Sequence, residues 1–270
     1  MDRVVRRFLI VGFGIVGRAV HAGLSQNETY DVAVLDPPLD MNILDDGIRN
    51  YADYNFYDGI ILTLPTPQGP TGECDDMAVE QYVQEIRKVA SRTPILIKST
   101  ISIELIDLLG DDPYLTTNPE FLTEADNLSE FLHQRFTIFG GRQCRFWYDV
   151  FLHAGITMDN VKFTDKRTAA FAKYAINSYL ATKVIFFNEL RDFFGPKGFD
   201  ELTECISLDD RIGSSHMMVP GPDREYWFGG MCFPKDTSAF LKSSHGKLTL
   251  LEKARQINDD IKADRRWIWI

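Results

Sequence analysis

The sequence predicts an α/β protein: an N-terminal Rossmann-like doubly wound sheet, then a long helix and a mainly helical substrate and dimerisation domain. Three observations predict it. Strand-type apolar runs alternate with helical patterns through the first 164 residues. The first of these runs, Arg6 to Val11, passes directly into Gly12-Phe13-Gly14-Ile15-Val16-Gly17. From Asp165 to Phe194 there is neither glycine nor proline. The expected domains are 1–164 and 165–270.

The first unit carries the strongest local signal. Phe8-Leu9-Ile10-Val11 is a buried-strand run. Val16, Ala19, Val20 and Leu24 follow the glycines at helical spacing, and a second strand, Asp31 to Leu35, ends at Asp36. Strand, glycine turn, helix, strand and acid, with Asp36 nineteen positions after Gly17, is the context a dinucleotide-binding turn needs. Gly12 makes the turn, Gly14 admits a pyrophosphate to the backbone, and Gly17 lets helix and strand pack. Asp36 accepts from a ribose 2′-hydroxyl and repels a 2′-phosphate, which favours NAD over NADP. A tight turn without ligand is the simpler alternative.

Further strands are expected at Tyr57–Leu64 and Pro94–Lys98, with helices over Asp76–Ala90 and Ile103–Leu109. In such sheets the loops after the strands carry ligand contacts. That points to Thr63-Leu64-Pro65-Thr66-Pro67 and Lys98-Ser99-Thr100, although Ser99 could instead cap the next helix near Ser102. A helix starting after Pro119 would put Glu120 and Glu124 on one face, where like charges repel. A strand over Phe136–Gly140, a helix over Arg142–His153 and a strand over Val161–Phe163 complete the unit.

The glycine-free stretch reads as one helix of about 30 residues, a domain connector and dimer spine. Lys173 and Asn177 are four apart on it, with Asn188 near the same face; a solvated face is the plainer reading. After it come a short helix to Ser207, another starting near Leu208, and a loop over Arg211–Glu225. Helices over Pro234–Ser243 and Thr249–Ala263 close the chain.

Before Pro234 stands Phe228-Gly229-Gly230-Met231-Cys232-Phe233. Proline suits the first helical position, so Phe233 is the expected N-cap and Cys232 sits just outside the helix. Oriented N–H groups there favour an anion, hence a thiolate. The alternative is a buried cysteine beside a tight turn, with Asp236 answering the helix dipole.

Composition bounds the function. The 270 residues are 44% hydrophobic and 25% charged, as in a folded soluble protein. A net charge of −10 without basic runs argues against nucleic acid or an anionic membrane as partner. No apolar run reaches transmembrane length. The four cysteines are scattered, with neither a metal spacing nor a disulfide framework, so a reducing cytoplasmic compartment is expected.

In order along the chain, these segments resemble the UDP-glucose/GDP-mannose 6-dehydrogenases. The likeness covers Gly12 to Gly17, Pro65-Thr66-Pro67, Lys98-Ser99-Thr100, Asn118-Pro119-Glu120-Phe121-Leu122, Phe171-Ala172-Lys173-Tyr174 with Asn177, Phe187-Asn188-Glu189, and Gly229 to Asp236. The last is highly specific to the family. The resemblance implies a four-electron oxidation of the C6 alcohol of a nucleotide sugar to the carboxylate, consuming two NAD. Cys232 adds to the C6 aldehyde as a thiohemiacetal, which is oxidised to a thioester and hydrolysed. Lys173 and Asn177 donate to the developing oxyanion, and Asp236 moves a proton or activates water. Thr100, Glu120 and Glu124 position sugar and water, with Glu124 a second candidate base. NAD is implied at Gly12, Phe13, Gly14, Ile15, Val16, Gly17, Asp36, Pro65, Thr66, Ser99, Thr100, Glu124 and Lys235. The sugar is implied at Glu120, Phe121, Leu122, Lys173, Asn177, Phe228, Gly229 and Cys232.

Three departures stand against the family pattern. Trp227 replaces a usual glycine, the segment Pro220–Tyr226 is longer and more polar, and the chain stops before a further nucleotide-holding domain. The expectation is a shortened form of the sort a virus or mobile element carries, acting as a homodimer in the cytoplasm, the host's if viral. Two rival readings remain. A 3-hydroxyacid-type dehydrogenase shares the Rossmann unit, long helix and lysine–asparagine pair, but needs no cysteine. A non-catalytic NAD-binding module would need neither Cys232 nor Lys173.

Overall fold

Residues 5–36, 41–43, 53–121 and 127–264 are described by a computed structural model of the chain. They divide into two units, 1–67 with 75–173 and 68–74 with 174–270, and the division falls inside the long helix.

The first unit is built on β1 (Arg6–Val11), which passes through the glycine turn into α1 (Ile15–Leu24) and then β2 (Tyr30–Asp36). A short antiparallel strand, β3 (Met41–Ile43), edges β2. After a 3-10 turn at Tyr54–Phe56 the chain runs through β4 (Gly59–Leu62), α2 (Met77–Val89), β5 (Ile95–Ile97), α3 (Ile103–Leu109) and β6 (Leu115–Thr117). Next come α4 (Asn127–Leu132), β7 (His133–Gln134), β8 (Thr137–Gly141), α5 (Cys144–His153), β9 (Thr157–Met158) and β10 (Val161–Thr164). The main sheet has the order β10-β8-β6-β5-β4-β1-β2-β3, and β7 pairs with β9 apart from it. All its pairs are parallel except β2 with β3 and β6 with β8.

The apolar strand runs dictate this packing. Phe8 to Val11 are fully buried, as a strand covered on both faces requires. Phe8 and Ile10 join Val20, Leu24, Phe131, Trp147, Val150 and Phe151 in one core. Each such side chain contributes about 1.5–3 kcal/mol of burial. α3 starts where Ser102 Oγ accepts from the Leu105 N–H at 3.0 Å, so Ser102 rather than Ser99 is the cap.

The second unit takes α6 (Lys166–Phe194) from Tyr174 onward, α7 (Phe199–Ser207), α8 (Phe233–Ser243) and α9 (Thr249–Asp264). Ala181, Ile185, Phe228, Ala254 and Ile261 form one cluster, and Phe187, Phe199, Met217 and Val219 another. Tyr174 stacks on Phe240, with ring centroids 5.6 Å apart.

Three local expectations are corrected. Pro119 to Phe121 are irregular rather than a first helical turn. Asn118 and Glu120 spend their side chains on tertiary partners there, and a buried polar group holds such partners against local propensity. No helix starts at Leu208. Asp209 closes a turn onto the N–H and guanidinium of Arg211, and Lys183 Nζ takes the Ile212 and Gly213 carbonyls at 3.0 and 2.8 Å. α8 begins one residue earlier than expected, so Cys232 itself is the N-cap and Pro234 the second helical residue.

Candidate functional site

The sheet register lines up the expected ligand loops of the first unit. Val11 is level with Leu35 and Leu62, Leu62 with Ile97, and Ile97 with Thr117. The next residues, Asp36, Gly12, Thr63, Lys98 and Asn118, therefore form one row along the carboxyl edge. The chain leaves β1 for β2 on one side and returns to β4 on the other, which opens a crevice above β1 and β4.

The glycines in that crevice have three separate reasons. Gly12 has φ +98°, and a Cβ there would lie 2.7 Å from the Thr63 carbonyl oxygen. A Cβ at Gly17 would meet the Gly12 carbonyl oxygen. At Gly14 nothing lies within 4 Å of the Cβ position. Gly14 is also the N-cap of α1, which has no side-chain cap and no acid in its first turn. Its leading N–H groups are suited to a pyrophosphate. Phe13 and Val16 are half-buried and Ile15 is exposed. Asp36, nearly buried, ends the strand beside the turn. These residues fit a dinucleotide.

Pro65 is exposed and Thr66 buried in the loop after β4. Ser99 Oγ donates to the Leu64 carbonyl at 2.8 Å, tying the loops after β4 and β5 together. Ser99, Thr100, Ile101, Thr117, Pro119, Ala170 and Lys173 line one recess. Lys173 is buried, donates to the Glu120 carbonyl, and lies 5.1 Å from the Phe121 ring centroid. The Glu120 carboxylate turns to Lys98, at 2.8 Å. Thr100, Glu120, Phe121 and Lys173 thus gather in the first unit. Leu122 and Glu124 lie outside the described residues.

In the second unit Asn177 is buried, not solvated, and its Nδ2 donates to Asp236 Oδ2 at 2.6 Å. Lys235 Nζ pairs with the other oxygen, Oδ1, at 2.7 Å. Lys235, expected against the cofactor, is here a partner of Asp236. The Asp236 N–H donates to the Cys232 carbonyl at 2.8 Å, the first turn of α8. Asp236 is 1% exposed, whereas Cys232 is exposed at the helix N-terminus. Gly230 has φ +73°, a conformation that favours glycine. The Phe228 ring is buried in the cluster against α6 and α9, and its N–H donates to Asn258 Oδ1 at 2.7 Å. Trp227 packs on the same cluster, which accounts for a large ring where glycine is usual.

Lys183 and Asn258 were not singled out from sequence, and Lys98 only as part of a ligand loop, with no role of its own. Lys98 ends an apolar strand, and Lys183 stands among Ala181, Val184 and Ile185, so a cation in an apolar run was the available signal. Burial pushes the Lys183 amine below the ordinary lysine range. Asn258 carried no signal in an otherwise charged helix.

A glycine turn at the edge of a mostly parallel sheet, followed by a long helix, defines the class: an α/β protein with a Rossmann-like sheet and a helical unit. Residues 167–260 match the central domain of the UDP-glucose/GDP-mannose dehydrogenase family. The chain belongs to that family. Over 200 residues it is 32% identical to a UDP-glucose 6-dehydrogenase of Rickettsia typhi, covering 69% of this chain and 45% of that protein. The chain spans about half the length of the curated relatives it matches. The fold is similar to a UDP-glucose dehydrogenase structure from Pyrobaculum islandicum, with TM-score 0.77 and 21% identity, over 96% of this chain and 69% of that one. It is also similar to 3-hydroxyisobutyrate dehydrogenase of Mycobacterium tuberculosis, with TM-score 0.68 and 17% identity, over 96% and 94%.

Proposed function

We propose that the chain carries the NAD-binding and catalytic parts of a nucleotide-sugar 6-dehydrogenase, oxidising the C6 alcohol of a UDP-glucose-like substrate to the uronic acid. The observation that carries it is the Asn177–Asp236 hydrogen bond one helical turn from an exposed Cys232. A binding module has no use for a buried acid held behind a thiol.

NAD, when bound, would accept the C6 hydride in each of two oxidations. The glycine turn and α1 would hold its pyrophosphate and Asp36 its ribose, with Pro65, Thr66, Ser99 and Thr100 along the same edge. In the first oxidation the C6 hydroxyl gives up a proton and the carbon becomes an aldehyde. An aldehyde is a poor hydride donor until a nucleophile adds. The Cys232 sulfur forms a bond to C6, giving a thiohemiacetal whose oxygen takes a proton. Lys173 and Asn177 donate to that oxygen while it carries charge. The second oxidation leaves a thioester. Water attacks C6, the carbon–sulfur bond breaks, and the thiolate and the carboxylic acid part. Asp236, or Glu124, accepts the proton from that water. Glu120, Phe121, Leu122 and the Phe228-Gly229 backbone are the proposed sugar contacts.

The same fold carries a second reading, a 3-hydroxyacid-type dehydrogenase, favoured by the likeness over nearly the whole of the mycobacterial structure. Replacing Cys232 by alanine separates the two. A 6-dehydrogenase stops before acid is formed; a hydroxyacid enzyme keeps its turnover. Retained acid production by Cys232→Ala would sink the thioester route.

A homodimer through α6 is part of the proposal. Tyr179, Phe186 and Phe193 are spaced seven apart and are 61%, 58% and 91% exposed. An apolar stripe of that kind suits a second copy.

A further inference from the structure

We infer that Lys98 is a positioning residue for Lys173, acting through Glu120. The inference rests on the reading of Lys173 as the oxyanion donor. Lys98 follows β5 in the carboxyl-edge row, and its side chain is 1% exposed. Its Nζ lies 2.8 Å from Glu120 Oε2 and 2.9 Å from Asn118 Oδ1. The rings of Phe131 and Phe151 stand 5.4 and 5.8 Å away. A cation so enclosed is destabilising unless it is paired, so its partners are held firmly.

The acid it holds is the one whose main chain meets Lys173. The Glu120 carbonyl accepts from Lys173 Nζ. Glu120 Oε1 accepts from the Phe121 N–H at 2.9 Å, and the Phe121 ring lies over the same amine. Lys98 therefore fixes the carboxylate, the carboxylate fixes the 120–121 backbone, and that backbone fixes the carbonyl and ring on which Lys173 rests. The far end is anchored too. Asn118 Nδ2 donates to Thr137 Oγ1 at 3.0 Å and to the Ile138 carbonyl at 2.9 Å, tying the network to β8. With no helix over Pro119–Phe121, these side-chain bonds set the segment's course.

The test compares Lys98→Met with the double variant Lys98→Met/Glu120→Gln, which leaves no buried carboxylate unpaired and so keeps the question open where the single variant fails to fold. Folding is checked by circular dichroism and by NAD affinity. The readout is the acylation rate of Lys173 by an amine-reactive ester, measured by peptide mass spectrometry, beside kcat and KM. Lys173 is expected to acylate several times faster in the folded variants. Displacement of a positioned group by about 1 Å costs about a hundredfold, so in Lys98→Met kcat should fall by that order with KM little changed, while the double variant, which also alters a proposed sugar contact, is read by acylation alone. Unchanged Lys173 acylation in the folded double variant overturns the inference, whatever the turnover. If the parent chain oxidises no nucleotide sugar, the proposed function fails while the acylation result still decides the role of Lys98.

Discussion

At the scale of single residues, two of the turn glycines, Gly14 and Gly17, make opposite predictions although their motif treats them alike. Gly17→Ala drives a Cβ onto the Gly12 carbonyl and should destabilise by about 1–3 kcal/mol, as overpacking does. Gly14→Ala meets nothing and has an ordinary φ of −71°, so its thermal midpoint should stay at the parent value. On the proposed function its methyl group would crowd the pyrophosphate of NAD, so NAD affinity should fall at least tenfold, by about 1.4 kcal/mol or more. Calorimetry of both variants reads the two effects separately. Asn177→Ala removes one donor from a buried carboxylate, and denaturant unfolding should show a loss of about 1–3 kcal/mol. What was legible here is the residue type: a lysine, an asparagine, a cysteine and an acid in known order. The Asn177–Asp236 bond was not, because its partners are 59 positions apart and nothing local demands the pairing.

At the scale of elements, α8 is held from two sides within its unit. Asn258 on α9 accepts from the Phe228 N–H just before the glycines. Asn258→Ala should cost about 1–3 kcal/mol by orphaning a buried donor, and Asn258→Asp, which keeps an acceptor, should lose less; urea midpoints decide. On the other side, the 68–74 segment lies along α8. Gly72 has φ +94° and a Cβ there would crowd Ser238 Oγ, while Lys242 on α8 donates to Thr71 and Glu73. The Thr71 hydroxyl, then a backbone N–H and Lys242, hold the Glu73 carboxyl down at about 2. A depressed acid stabilises fully above its ordinary value of 4.5 and loses that stabilisation as pH falls toward about 2. An NMR titration should find the Glu73 midpoint near 2, and higher in Thr71→Val. The long helix was readable because 29 residues without glycine or proline have no other way to bury their apolar positions. β3, β6, β7 and β9 were not, because these two- and three-residue strands lack the apolar run that marks the equally short β5 and are set by their neighbours in the sheet.

At the scale of the whole molecule, the doubly wound sheet was legible from the glycine turn, Asp36 and the alternation of strands and helices, but the strand order and the row from Asp36 to Asn118 needed the register itself. If α6 carries the proposed dimer, light scattering should find the parent at dimer mass and Phe186→Glu with Phe193→Glu at a smaller mass. No helix among the described residues is long and apolar enough to cross a membrane. The central claim is that one chain oxidises the same carbon twice, with Cys232 carrying the sugar between the two oxidations. The direct measurement is the number of NADH formed per nucleotide sugar consumed, across a panel of UDP- and GDP-sugars. Two NADH per sugar, with a carboxylate product that disappears in Cys232→Ala, is the predicted result. A single NADH per substrate, unchanged by Cys232→Ala, would contradict it.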